Sequence, residues 1–209
     1  MRNYVITIAR GFGSGGKEIG TKLGKELGIP CYDRQLITMA SDASGIDESL
    51  FVDADERIRG RYVANFLRRL PPLETITEPH ENGFTSDENL FNIVAEIIRS
   101  LAKTESCIII GKAADDILKD FRNVASIYVE APRSACVKSI MEKMHCSERR
   151  ANQLIRDTDA YRAKYYNYYS GGKKWTNPAN YDLVLNSGRI GRNRCVELVK
   201  SYIKIRFGE

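Results

Sequence analysis

Between Gly11 and Lys17 the chain reads GFGSGGK, and Gly11, Gly16 and Lys17 fit the G-x-x-x-x-G-K spacing of a phosphate-binding loop. Glycines let successive backbone N–H groups turn inward on an anion. A following helix adds its positive N-terminal dipole, and the lysine adds a point charge. The chemistry implied is binding of a nucleotide cofactor by Gly11, Phe12, Gly13, Ser14, Gly15, Gly16, Lys17 and Glu18, the first seven on its phosphates. Lys17 would reach the β- and γ-phosphates, where charge develops during phosphoryl transfer. The motif asks for Ser or Thr after the lysine, to hold magnesium (Mg2+). Here Glu18 stands in that place, followed by Ile19. A carboxylate there opposes the phosphates unless it turns away or a metal bridges it.

Four further groups of residues could join such chemistry. Arg149, Arg156 and Arg162 lie along a helical segment with Asp157 and Asp159 between the last two. Guanidinium groups can clamp a moving phosphoryl group from the side opposite the loop, or simply form intrahelical ion pairs on a solvated face. Tyr161, Tyr165, Tyr166, Tyr168, Tyr169 and Trp175 alternate with lysines. Such a run can stack the bases of a single strand. Packing against the core or a second subunit is the expected role, because Tyr161, Tyr165 and Tyr168 fall on one helical face. Lys112, Asp115 and Asp116 follow an apolar strand at the edge where parallel sheets bind ligands, although acidic residues also suit a helix's first turn. Tyr32-Asp33-Arg34 would face the same edge and could orient a second substrate or form a local ion pair. His80 and His145 have no ligand spacing, and the five scattered cysteines form no CxxC pair, so no protein metal site is expected.

The elements that must position these residues alternate along the chain. Strands are predicted over Tyr4–Ala9, Ile29–Asp33, Cys107–Ile110, Val124–Val129 and Asp182–Leu185. Helices are predicted from Lys17 to Leu27 and Arg34 to Ala43. Others run from Glu88 to Lys103, from Ala113 and from Ala131-Pro132 to Met144. Two more follow, one capped by Ser147 and continuing past Ala160, the other spanning Cys195–Ile205. Residues 45–70 are helix-prone, with Phe51, Val52, Ile58, Val63, Phe66 and Leu67 as packing positions. Pro71–Asp87 reads as a loop. Strand–helix alternation makes an α/β fold with a parallel sheet between two helical layers.

The 209 residues suffice for one domain with a good core, and 43% hydrophobic against 28% charged residues suits a soluble globular chain. No apolar run approaches the roughly 18 residues of a membrane span, and the N-terminus lacks the pattern of a signal peptide. A cytoplasmic protein without membrane partners is expected. The net charge of +5 suits an anionic ligand but does not argue for nucleic acid. Whether the chain forms a homodimer is left open.

Nearly the whole chain resembles the cytidylate kinase-like family, a branch of the P-loop nucleoside monophosphate kinases. The likeness runs through ITIARGFGSGGKEIGTKLGKELGIPCYDRQLI, SCIIIGKAADDIL, RDTDAYRAKYYNYYSGGKKW and YDLVLNSGRIG. It implies a three-layer P-loop NTPase fold over 1–209, an acceptor-binding helical region at 34–103, and a lid with a Tyr-rich arm at 147–180. It implies ATP and magnesium as cofactors, with Gly11–Lys17 on the ATP phosphates. Lys17, Arg156 and Arg162 would then be catalytic, and Asp157 and Asp159 would sit in the lid. Asp33, Arg34, Lys112, Asp115 and Asp159 would bind substrate. Lys112 stands where cytidylate kinases have the arginine of Gly-Arg-Asp, and the aspartate shifts to Asp115. The implied reaction is ATP-dependent phosphorylation of a nucleoside monophosphate, CMP or dCMP, to the diphosphate. The alternatives are a kinase of a non-nucleotide small molecule and a nucleotide-binding regulator, for which Glu18 is the main support.

Overall fold

The computed structural model describes residues 3–44, 47–51 and 87–208. At its centre, Val5–Arg10 (β1) and Cys107–Ile110 (β3) are apolar runs buried along nearly their whole length, as expected for parallel strands covered on both faces. Cys31–Tyr32 (β2), Val124–Glu130 (β4) and Leu183–Asn186 (β5) complete a five-stranded parallel sheet in the order β2-β3-β1-β4-β5. β1 pairs with β3 through Val5↔Cys107 to Ile8↔Ile110 and with β4 through Val5↔Val124 to Arg10↔Val129. The fold class is therefore the expected one. β2 is shorter than expected: Pro30 has no N–H to donate, and only its carbonyl joins the ladder, accepting from Ile108 N at 2.8 Å.

Side chains alternate across the strands and divide the core in two. Ile6, Ile8, Ile108, Ile110 and Ile127 face Ile19 and Leu23 of α1 (Gly16–Leu27) and Val196, Val199 and Ile203 of the C-terminal helix, Arg192–Phe207. Val5, Cys107, Ile109 and Val124 face Leu36 and Ile37 of α2 (Gln35–Ser44) and Leu90, Ile93, Ile98 and Leu101 of α3 (Asp87–Thr104). Burying a branched side chain of this size contributes about 1.5–3 kcal/mol. The two layers thus fix the sheet, and with it the edge from which the strand ends project.

Further helices are α4 (Ala114–Ile117), α5 (Arg133–Met144), α6 (Glu148–Tyr169) and α7 (Ser187–Ile190), and Arg192–Phe207 is labelled α8. The Ser147 hydroxyl caps α6, accepting from Arg150 N at 3.3 Å. Buried Ala151 and Ile155 seat the first half of α6 on Cys136, Val137 and Ile140 of α5. Its second half carries Tyr165 and Tyr166 into a cluster with Tyr128, Trp175 and Tyr181. Tyr168 departs from the expected face: it is 66% exposed, and Tyr169 packs on Tyr165 instead, with ring centroids 4.8 Å apart.

The expected packing positions Val52, Ile58, Val63, Phe66 and Leu67 and the loop over 71–86 lie outside the described residues, as does much of the acceptor region at 34–103. Phe51 is buried among Leu36, Leu50 and Leu90. Among the described residues, no helix is long and apolar enough to cross a membrane.

Candidate active site

β1 ends at Arg10, and the chain turns at once into the glycine loop before α1 begins at Gly16. Gly13 (φ +89°) and Gly15 (φ +83°) take left-handed backbone conformations, which glycine adopts without strain. At Gly13 a side chain would also collide with the backbone: a Cβ would sit 2.8 Å from Cys136 O. Gly11 N donates to Val129 O at 3.0 Å, and the Ser14 hydroxyl donates to Gly11 O at 2.8 Å. The buried Ser187 hydroxyl bridges the Ser14 and Glu130 carbonyls, at 2.5 and 3.1 Å. The loop is thus tied to β4, α5 and α7 before any ligand arrives.

A cleft of about 800 Å³ opens over the loop at the carboxyl edge of the sheet, lined by residues at and just beyond the ends of β1 and β3. The loop from Gly11 to Glu18, except buried Ser14, lines one wall. Lys17 Nζ lies 2.7 Å from Asp33 Oδ2, and Arg10 approaches the same carboxylate at 3.7 Å. Sequence reasoning passed over Arg10, which reads as the last residue of a strand. Burial pushes its guanidinium below the ordinary arginine value, against the opposing pull of Asp33 and Asp159.

The facing wall begins at Gly111, Lys112 and Ala113, three successive residues with positive φ (75°, 58° and 53°). For a lysine and an alanine this conformation costs about 1 kcal/mol or more each, and such strain collects at sites the surrounding structure over-determines. The turn places Lys112 in the cleft, its Nζ 6.0 Å from the Tyr165 ring centre. Burial first, and then the neighbouring Arg10 charge, lower the Lys112 amine to about 7. One turn on, Asp115 is buried and accepts a hydrogen bond from Tyr166 Oη at 2.6 Å. Burial raises its carboxyl to about 6, although the Tyr166 bond opposes the rise. Asp116 is held away from the cleft by Lys173 and Lys119.

α6 closes the far side. Arg162 donates to Arg10 O at 3.0 Å, touches Asp159 Oδ1 at 3.4 Å and lies over the Phe12 ring at 5.5 Å. Burial, then the like charge of Arg10, lower Arg162 to about 10. Asp159 accepts from the loop amide of Phe12 at 2.8 Å, and burial raises its carboxyl despite that bond. Tyr161, Tyr165, Tyr166 and Trp175 add an aromatic surface to the cleft.

Of the residues expected at the site, Gly11–Lys17 apart from Ser14, with Glu18, Asp33, Arg34, Lys112, Asp115 and Arg162, share this one cleft. Asp159 does not line the cleft but accepts a hydrogen bond from the loop at Phe12 N. Arg156 is exposed on α6 and does not line the cleft; Asp157 is exposed beside it. Glu18 turns aside, its carboxylate held by Lys143 at 2.9 Å and by Arg192. Burial raises the Glu18 carboxyl, but its hydrogen bond to Lys143 and the Arg192 charge together keep it below the ordinary value.

The glycine loop with Lys17 suits the phosphates of a nucleotide, a ligand that commonly travels with magnesium. The residues after the lysine do not suit the ion. Glu18 and Ile19 offer no hydroxyl, and both Glu18 oxygens already face cations.

A model of the cytidylate kinase-like family matches residues 5–189. No curated protein matches the chain. Among solved structures it is similar to an uncharacterised protein from Eubacterium ventriosum, with a TM-score of 0.71 and 23% identity over 98% of this chain and 100% of that one. It is also similar to a sugar kinase from a Janibacter species (TM-score 0.52, 13% identity, 97% and 95% covered). A shikimate kinase from Acinetobacter baumannii, in complex with shikimate, matches at TM-score 0.50 and 10% identity, with 99% and 96% covered. At these identities the likenesses show the fold alone.

Proposed function

The chain belongs to the cytidylate kinase-like family, and from that premise we propose that it transfers the γ-phosphoryl group of ATP to a nucleoside monophosphate, CMP or dCMP. The observation that carries this reading is the second group of cations. The loop and Lys17 suffice for a donor polyphosphate, yet Arg10, Lys112 and Arg162 also converge on the same cleft, three cations that Asp33 and Asp159 offset only in part. Like charges this close depress one another's protonation unless an anion joins them. An acceptor that brings its own phosphate meets that need. The rings of Tyr161, Tyr165 and Trp175 offer a planar base a surface to lie against.

In this mechanism the loop amides and Lys17 hold the donor. The acceptor's phosphate oxygen attacks the γ-phosphorus in line, and ADP leaves with the bridging oxygen. The protein forms no covalent intermediate; it positions the partners and stabilises charge. Arg162 neutralises charge on the transferring group from α6, beside the loop residue Phe12. Arg10 and Lys112 hold the acceptor's phosphate, and Asp33 orients Lys17. Packing of α6 over the cleft excludes water.

The test is ADP release with ATP and a panel of CMP, dCMP, UMP, AMP, GMP, shikimate and simple sugars. Turnover with CMP or dCMP above the rest supports the reading. Turnover confined to a sugar or an acid replaces the acceptor class and keeps the kinase. ATP binding without turnover on any acceptor makes the protein a nucleotide-binding regulator.

A further inference from the structure

Glu18 occupies the position where the usual loop carries a metal-holding hydroxyl, and the structure gives it a different occupation. One carboxylate oxygen accepts from Lys143 of α5 at 2.9 Å and the other from Arg192 at the start of α8. A second nitrogen of Arg192 donates to Ser139 Oγ at 2.8 Å, which fixes the plane of its guanidinium. That plane lies against the loop itself: a Cβ on Gly15 would stand 2.4 Å from Arg192 Nε. Lys143, Ser139 and Glu18 all line the cleft beside the loop. Three elements therefore meet at α1's first turn. Two cations on one carboxylate leave one net positive charge there.

Without Glu18, Lys143 and Arg192 would repel each other and swing into solvent, because each side chain is about half exposed, at 60% and 41%. We infer that Glu18 is a positioning residue, not a metal ligand, and that it holds Lys143 and Arg192 as a pair of protein cations against the donor-phosphate loop. The pair compensates donor phosphate charge that a divalent ion balances in loops of the usual sequence. Nucleotide binding then depends weakly on magnesium. This inference rests on the reading of Gly11–Lys17 as a nucleotide site.

Calorimetric titration with ADP, in EDTA and in excess magnesium, tests it. In the intact protein the two dissociation constants should agree within about threefold. Lys143→Met and Arg192→Met should each weaken metal-free binding by about tenfold, the scale of one charge-assisted contact, and weaken it less with magnesium. Glu18→Gln should weaken metal-free binding as well, although it removes a negative charge from the loop. That sign is opposite to what simple electrostatics at an unstructured site gives. Unchanged or tighter metal-free binding in Glu18→Gln overturns the positioning role. So does an intact protein that binds ADP about a hundredfold better with magnesium while bound Mn2+, read by electron paramagnetic resonance, is lost in Glu18→Gln. That pair of results makes Glu18 a ligand. No ADP binding in either buffer fails the nucleotide reading itself, a separate outcome. Melting temperatures within a few degrees of the parent confirm that these largely exposed substitutions leave the fold intact.

Discussion

On one side of the cleft, Gly11 to Lys17 offer mostly backbone; on the other, the Gly111–Asp115 turn and α6 offer side chains. The glycine wall is continuous in sequence, is preset by β1 and α1, and is tied down by Ser14, Ser187 and Cys136. The facing wall joins Lys112 and Asp115 to Tyr161, Arg162, Tyr165 and Tyr166 from a segment some fifty residues later. Its geometry depends on a strained turn and on how α6 packs. On the proposed function, the donor's phosphates meet a wall held by backbone contacts, and the acceptor meets one built from side chains distant in sequence. That difference implies different failures: a change in the first wall removes chemistry, and a change in the second alters affinity, pH response or stability.

The largest expected effect comes from the first wall. Lys17→Ala should remove turnover, a loss of about a thousandfold or more in kcat, because it deletes the charge that the proposed mechanism sets on the donor's phosphates. The melting temperature should hardly move, since the Lys17 side chain is 61% exposed and Arg10 remains near Asp33. Near-normal phosphoryl transfer in this variant would erase the distinction between the walls.

Next is the pH response of the second wall. Lys112 titrates at about 7 in the folded protein, so it is charged below that pH and neutral above it. Affinity for the acceptor's phosphate should fall as pH rises above about 7. In Lys112→Met the affinity should be about tenfold weaker at pH 7, the scale of one charge-assisted contact, and should not fall from there to pH 9, where the acceptor's phosphate is already a dianion. Titrations with CMP at pH 7, 8 and 9 check this. An unaltered pH profile would remove Lys112 from the acceptor site.

The two walls also differ in how far the sequence reveals them. β1, β3 and β4 read directly as apolar runs because both faces are buried, and the loop reads directly because its glycines are contiguous. Short elements such as α7 carry too few residues for a period to show. Nothing in a lysine followed by an alanine signals left-handed backbone, so the turn that presents Lys112 was legible only as a position at a strand's carboxyl end. The same positional argument would have found Arg10, an arginine closing an apolar strand just before the loop. The partners of Glu18 lie more than a hundred residues away and could not be paired from spacing. On α6, the choice between Tyr168 and Tyr169 turns on one helical step, and packing decided it.

A smaller effect, on stability, should follow from Tyr166→Phe. Its hydroxyl is the donor to buried Asp115, and removing it leaves a carboxyl short of a partner, at about 1–3 kcal/mol. The sign with pH follows from Asp115's raised value. Stability from the neutral carboxyl is full below its ordinary 3.8 and is lost as pH rises through about 6. The Tyr166 bond favours the ionised form, so the variant should lose more stability at pH 7 than at pH 4.5. Thermal melts at both pH values check this. An equal loss at both would show that Asp115 keeps one protonation state throughout.

The smallest expected effect falls on Arg156, and it tests whether the second wall is already closed. Arg156 and Arg162 share α6, but only Arg162 reaches the cleft, through Arg10 O and the Phe12 ring. If the cleft works in this arrangement, Arg156→Ala changes kcat/KM by less than about twofold, as for an ordinary exposed side chain, while Arg162→Ala costs at least about tenfold. The two variants differ in charge by the same amount, so any contrast between them reports position alone. A loss of tenfold or more at Arg156 would mean that α6 swings further over the donor during turnover. The contacts Asp159–Phe12 and Arg162–Arg10 would then have to break on closure. Steady-state kinetics on both variants, each with saturating ATP, separates a wall that is preset from one that is still open.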